Sequence, residues 1–377
     1  MNKHYRFSAP GRTEIAGNHT DHQCGCVIAA AVNLEATADV TLNDTDRICI
    51  RSAGYPEFTI DLSDLSVHPE EKNTTAALVR GIASAFVERG AKLKGFDAEI
   101  KSTVLSGSGL SSSAAFEVLV GTILNELLFE SKLTPVEIAQ IGQYAENVYF
   151  GKPCGLMNQM ASSVGGMVYI DFEDPKAPYI EKISVDLTEA GYALCIIDSG
   201  ADHADLTDEY TAIPMELKKV CNFFGKEILR QVPISDFMEA LPDLRDVVSD
   251  RAILRAIHIY NENERVKKQF NALKNDDIKT FLNLVNESGR SSWMYLQNIT
   301  PTGATENQAV AFGLALCDSI LGGKGACRVH GGGFAGTIQA FVPCDMLDDF
   351  KNRIESVLGR NSCHILSIRN NGGVRIS

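Results

Sequence analysis

The sequence predicts an α+β protein of two domains, in which mixed or antiparallel sheets are layered against helices. Three observations carry this prediction. The first 70 residues break into short β-rich runs separated by turn signals, and the second half is dominated by helical apolar spacing. Strands and helices nowhere alternate as regular βαβ units. A chain of 377 residues is long enough for two domains, and the stretch 175–191, with Pro175, Pro178 and polar turn residues, supplies a boundary. The expected division is 1–185 and 186–377.

The elements follow in order. Segments 26–32, 36–42, 47–51 and 58–62 read as strands of a mostly antiparallel sheet. A helix over 75–89 places Leu78, Ile82, Ala85 and Phe86 on one face, with Gly90 as its stop, and a strand follows at 96–103. Helical spacing resumes over 112–129. The next helix, 135–149, has a marked start: Thr134 as N-cap, Pro135 in the first helical position and Glu137 completing a capping box. After a glycine-rich stretch, 151–166, strands are expected at 167–171, 181–185 and 192–198. Helices are expected at 214–224, 251–273, 278–286 and 305–316. The chain closes with strands at 326–330, 336–342 and 363–368, and a helix at 346–358 between the last two.

Composition narrows the function. With 45% hydrophobic and 22% charged residues the chain suits a compact protein with a substantial core. No run approaches the roughly 18 to 20 apolar residues that cross a bilayer, and the N-terminus leads into no secretion segment, so a cytoplasmic protein without a membrane part is expected. The net charge of −13 is spread along the chain, which argues against a nucleic-acid surface. The cysteines are scattered through apolar segments and read as reduced thiols. Cys24 and Cys26 lack a second pair that would complete a zinc pattern, so any metal should be of the oxygen-ligand kind.

Four clusters concentrate chemistry. Between the strand at 96–103 and the helix at 112–129 lies a Gly/Ser loop of Gly107, Ser108, Gly109, Leu110, Ser111, Ser112, Ser113 and Ala114. Glycines let the backbone approach an anion, a helix N-terminus offers unpaired N–H groups, and hydroxyls can bind phosphate oxygens or Mg²⁺. The loop therefore reads as a cradle for nucleotide phosphates, ATP first among them, although composition alone also permits a plain Gly/Ser turn. The Lys-Ser/Thr ending of a Walker loop is absent. The second cluster, 10–22, packs Arg12, Glu14, Asn18, His19, Asp21 and His22 into a short segment suited to hydrogen-bonding a polyhydroxylated substrate; either histidine taken alone could be a surface or packing residue. The third, 151–160, holds Gly155 and Asn158, and the fourth, 329–336, sets three glycines after His330 at the entry to a strand.

In that order PGRTEIAGNHTDH, GSGLSSSAA, GKPCGLMNQMASS and RVHGGGFAG resemble the galactokinases, within the superfamily of galacto-, homoserine, mevalonate and phosphomevalonate kinases. The resemblance extends to Arg255–His258, Glu262–Val266, Asp198–Gly200 and Glu209-Tyr210, covering nearly the whole chain. It implies the two-domain fold of that superfamily and an ATP-dependent sugar 1-kinase acting on the anomeric hydroxyl of galactose. ATP would lie on the 107–115 loop, with Mg²⁺ held by Ser112 or Ser113 and by Glu146. Arg12 would neutralise charge on the transferred phosphoryl group. Asn18, His19, Asp21 and Tyr210 would meet the sugar, and the Gly155 backbone would approach its ring. Taken by itself, Glu146 could be an exposed helical acid.

Two positions depart from the family pattern. Galactokinases carry Asp, the expected base, where this chain has Asn158. A neutral amide can position a hydroxyl but cannot take its proton, so weakened turnover with binding retained is expected. Galactokinases usually carry Glu at the position of Asn18, where it is expected to meet the C6 hydroxyl. Two alternatives arise from these exchanges: a catalytically silent sugar/ATP sensor, and a 1-kinase for a C6-altered sugar such as galacturonic acid.

Overall fold

The computed structural model describes residues 3–104, 109–201 and 206–377. Its first half contains β1 (His4–Ala16), β2 (Cys26–Leu42), β3 (Arg47–Ser52), β4 (Phe58–Asp61), α1 (Thr75–Glu88), β5 (Phe96–Ser102), α2 (Ser112–Leu128), α3 (Pro135–Tyr144), α4 (Met157–Val164), β6 (Met167–Asp171) and β7 (Tyr179–Ile183). The second half adds β8 (Tyr192–Asp198), α5 (Thr207–Phe223), α6 (Ile234–Glu239), α7 (Leu241–Val247), α8 (Asp250–Lys274), α9 (Ile278–Ser291), α10 (Ala309–Leu321), β9 (Ala326–Val329), β10 (Thr337–Pro343), α11 (Leu347–Leu358), β11 (Cys363–Leu366) and β12 (Val374–Arg375).

The first sheet runs β12-β1-β2-β5-β3-β4, and β6 joins the other end of β2 and carries β7. All pairings are antiparallel except β3 with β5. The two expected strands at 26–32 and 36–42 are one long strand. Its first part is buried on both faces, with Ile28 and Ala30 in the main core and Val27 and Ala29 packed against α4. Its second part alternates buried and half-buried residues, as a strand with one wet face does. The main core lies beneath α1 and α2 and reaches α9 and the inner side of the second sheet through Val285, Leu194 and Phe341.

The second sheet runs β11-β8-β10-β9, all antiparallel, and α10 and α11 cover it through Leu314, Ile320, Phe350 and Ile354. The chain then returns to where it began. Ile368 bridges to Val32, and β12 pairs with β1 at Phe7 and Ser8.

Several elements differ from the sequence expectation. Strand β1 runs through the second chemical cluster, Pro10 and Gly11 included, because bulges between Pro10 and Arg12 and between Glu14 and Ala16 absorb the irregular residues. Helix α4 lies inside the glycine-rich stretch. Helix α5 starts at Thr207 and holds Pro214 in its interior rather than at its start, with Ile213, Leu217 and Val220 buried along it. The capping box at Thr134 is present as expected, and α3 passes directly into a π-turn, Ala145–Phe150, that carries Glu146. Among the described residues no helix is long and apolar enough to cross a membrane.

Candidate active site

Arg12 is where three of the four clusters meet. The bulges on either side of it re-aim consecutive β1 side chains toward the site. Its Nε donates to Asn158 Oδ1 at 2.7 Å, its Nη1 donates to the Gly109 carbonyl, and its backbone N–H donates to the Leu110 carbonyl at 3.0 Å. The guanidinium is buried, and burial pulls its pKa down to about 10 against the opposing pull of Glu14, Asp21 and Glu146. It remains a cation at neutral pH, held between the phosphate loop and the start of α4.

In the Gly/Ser loop, Gly107 and Ser108 lie outside the described residues. Gly109 has φ +70°, and a β-carbon there would sit 3.0 Å from His330 Nδ1, so the fourth cluster closes against the loop. Leu110 and Ala114 are fully buried and pin the loop to the core. Ser111 takes a left-handed conformation, φ +56°, and its side chain makes no capping bond to the first turn of α2. The half-buried Ser112 and Ser113 open the helix, whose first N–H groups are donors of the kind that suit an anion.

Glu146 is no exposed acid, being 4% accessible. Its Oε2 accepts from Gln159 Nε2 at 2.8 Å, while its Oε1 lies 3.9 Å from Lys152 Nζ. The same Gln159 nitrogen donates to Glu117 Oε2 at 2.9 Å. Burial and then the nearby Glu146 raise the Glu117 pKa well above the usual carboxylate range. Among the described residues no three His, Cys, Asp or Glu side chains form an all-protein metal cage. A single carboxylate such as Glu146 is a hard oxygen donor of the kind Mg²⁺ takes together with hydroxyls and nucleotide phosphates.

On the opposite side, Asp21 opens a short 3₁₀ turn, Asp21–Gln23, and a β-carbon at Gly155 would collide with its Oδ2. Glycine at 155 thus lets the third cluster reach the second. Three successive glycine carbonyls of the fourth cluster accept from this side: Gly331 from Asn18 Nδ2 at 2.6 Å, Gly332 from His19 Nε2 at 3.1 Å and Gly333 from Tyr210 Oη at 2.9 Å. Burial, then His22, pushes His19 down to about 4, so its ring is neutral at pH 7. Burial pushes the Tyr210 phenol up to about 12.

Asn18 sits differently from the substrate contact expected of it. It is fully buried and all four of its side-chain hydrogen-bonding positions are taken. Its Nδ2 donates to Glu14 Oε1 at 3.3 Å as well as to Gly331, and its Oδ1 accepts from Asn298 Nδ2 at 2.9 Å and Ser292 Oγ at 3.3 Å. It acts as a strut beneath the glycine run. A carboxylate is still present here, since Glu14 supplies one and pairs with the fully buried Arg328 at 2.8 Å.

Some partners were not expected to act as site residues. His330 Nε2 accepts from the Glu14 backbone N–H at 3.3 Å, so its proton lies on Nδ1, which donates to Thr337 Oγ1 at 3.0 Å. From α8, His258 Nε2 donates to the Asn18 carbonyl at 3.0 Å, and Glu262 Oε1 accepts the Asn18 N–H at 3.4 Å. The RAIH and ENERV stretches marked these two residues, but their distance from the site in sequence hid their role. Gln159 carried a weaker signal, following directly after Asn158.

Comparison with known proteins agrees with this geometry. The pattern of the GHMP kinases N terminal domain matches residues 77–166, and the galactokinase galactose-binding signature matches residues 2–41. A galactokinase of Actinobacillus succinogenes is 33% identical over 341 residues, which span 90% of this chain and 86% of that protein. The chain belongs to the galactokinase family. A second galactokinase, from Mannheimia succiniciproducens, is 30% identical over 347 residues, spanning 92% of this family member and 87% of its relative. The crystal structure of Lactococcus lactis galactokinase complexed with galactose superposes with a TM-score of 0.83 at 25% identity, covering 99% of this chain and 95% of that one. The mevalonate kinase of Methanococcus jannaschii, at 13% identity and a TM-score of 0.69 over 97% and 98% of the two chains, shares the fold.

Proposed function

We infer that this galactokinase-family chain transfers the γ-phosphoryl group of ATP to the anomeric hydroxyl of galactose, yielding galactose 1-phosphate and ADP. The observation that carries the reading is Arg12, whose guanidinium spans the Gly109 carbonyl of the phosphate loop and the Asn158 side chain. A cation at that crossing sits where negative charge accumulates in phosphoryl transfer. Asp21, His19, Tyr210 and the Gly155 backbone form the sugar side, and Gly109 to Ala114 the nucleotide side. Glu146 with Ser112 or Ser113 would hold Mg²⁺, which neutralises phosphate charge when bound. The two sheets support two domains, 1–185 and 186–377, with the last residues of the second returning to the first sheet. We place the enzyme in the cytoplasm.

During transfer the sugar oxygen bonds to the γ-phosphorus, the bond to the β-phosphate oxygen breaks, and the hydroxyl proton must leave. Arg12 Nε is only a donor, so Asn158 turns its Oδ1 to it and keeps its two N–H groups and the second lone pair of that oxygen for the sugar. Those groups orient an oxygen without accepting a proton, so the chemical step is slow. Asn158→Asp should raise kcat at least tenfold in a coupled ADP assay with galactose, toward the roughly 10²- to 10⁴-fold range of general-base assistance. A smaller gain would refute the role given to this position. A sugar altered at C6 loses its support because Glu14 retains a carboxylate beside Asn18.

A further inference from the structure

We propose that Gln159 is the positioning residue of the metal-binding carboxylate. Its amide holds Glu146 Oε2 so that Oε1 is the oxygen presented to a divalent cation carried by the nucleotide. The proposal rests on the reading of Glu146 as the Mg²⁺ ligand and adds to it a residue that never touches the metal.

The argument begins with hydrogen-bond capacity. A glutamine NH₂ group has two protons, and the two acids take the short bonds, Glu117 Oε2 at 2.9 Å and Glu146 Oε2 at 2.8 Å, with Cys154 Sγ a longer contact at 3.8 Å. Gln159, Glu117 and Glu146 are 0%, 1% and 4% accessible, so water does not substitute for these bonds. An uncharged amide can bridge the two acids without cancelling the charge of Glu146. A lysine in the same place would hold Glu146 equally well but spend its charge on it. The remaining oxygen of Glu146 faces Lys152 at 3.9 Å, a two-thirds exposed and therefore weak ionic partner that a divalent cation displaces readily, and the Cys154 thiol also lies within reach of this carboxylate.

The bridge has little freedom to rearrange. A β-carbon at Gly142 on α3 would come within 3.1 Å of both Gln159 Cγ and Glu117 Oε2, so α3 closes directly over the pair. Glu117 Oε1 and Gln159 Oε1 have no hydrogen-bond partner among the described residues, so the trio is not a closed internal network of the kind that only stabilises a core. Gln159 also follows Asn158 on the first turn of α4. One helix start therefore sets the group that meets the sugar hydroxyl and the orientation of the carboxylate that meets the metal.

The test measures Mn²⁺ binding to the full-length protein with AMP-PNP by electron paramagnetic resonance, alongside AMP-PNP affinity in EDTA. Glu146→Gln should weaken Mn²⁺ binding at least tenfold. Gln159→Leu should weaken it at least fivefold while metal-free AMP-PNP affinity changes less than twofold. Glu117→Gln, whose side-chain carbonyl still accepts from Gln159, should stay within twofold of the unmodified protein on both measurements. If Gln159→Leu does not fold, Gln159→Asn, one methylene too short to span the two acids, is judged by the same criteria. Unchanged Mn²⁺ affinity in the folded Gln159 variant, with Glu146→Gln impaired, overturns the positioning role. Equal losses with and without metal overturn it in favour of a purely structural part. If Glu146→Gln itself binds Mn²⁺ normally, the metal reading of Glu146 is what fails.

Discussion

The two sides of Arg12 are built differently. On the sugar side, the turn after β1 is held from several directions: Asn18 by Glu14, Gly331, Asn298 and Ser292, its backbone by His258 and Glu262 on α8, and His19 by Gly332. On the nucleotide side, Ser111 leaves the first turn of α2 without a side-chain cap, and the acids Glu117 and Glu146 lie close together with one amide between them. A neutral sugar brings no charge, so its site must be shaped in advance by hydrogen bonds from the chain. On the proposed reading, a nucleotide and its cation would bring large charges of both signs and complete a site the chain leaves electrostatically unfinished.

Three further experiments sharpen or break this contrast. The largest effect is expected at the crossing itself. Arg12→Ala should lower kcat by about 10²- to 10³-fold, the usual scale for losing one transition-state charge contact. Galactose binding measured by calorimetry should change little, because the sugar-side turn is held by other residues; a collapse of galactose binding would show that Arg12 also supports the sugar side.

A smaller effect, on stability, tests how firmly the sugar side is braced. Arg328 is fully buried and pairs with the buried Glu14, so Arg328→Met strands a carboxylate beneath the Asn18 turn. Removing one partner of such a pair typically costs about 3 to 5 kcal/mol. The urea midpoint should drop accordingly, and an unchanged midpoint would mean that the pair does not brace this turn.

The smallest effect is a pH dependence. Burial lowers the pKa values of His19, His258 and His330, that of His19 to about 4. A folded pKa below the unfolded value of about 6.5 means that the unfolded chain binds more protons in the interval between them. The corresponding stability is present above pH 6.5 and is lost as pH falls toward 4. The unfolding temperature should decline between pH 7 and 5, and His330→Gln should make the decline shallower. The residue fits this role because a proton on Nε2 would face the Glu14 N–H it now accepts. A flat profile for the unmodified protein would contradict the neutral histidines.

Local chemistry explains which elements could be read from the sequence. The start of α3 is marked by Thr134, Pro135 and Glu137, and the structure contains that capping box because all three residues act within one turn. Strand β8 and the helix starting at Ile278 follow short-range apolar periodicity. Strand β1 was hidden because Pro10 and Gly11 look like turn residues and only the pairing with β2, with its bulges, makes them strand. Helix α5 runs through Pro214 because buried contacts on both sides of the proline outweigh the lost N–H bond.

The site divides along the same line. By itself the sequence determined the Gly/Ser loop, the arginine, the polar turn after it and the triple-glycine strand entry as local patterns, and their order, through its resemblance to the galactokinases, implied one kind of enzyme. It also shows an amide at position 158, where the resemblance implies an Asp acting as base. Tertiary structure alone decided that Arg12 spans Gly109 and Asn158, that Asn18 is a closed strut, and that Gln159 joins Glu117 to Glu146. These contacts link residues far apart in the chain, and their partners are chosen by how bulged strands and packed helices aim side chains in space.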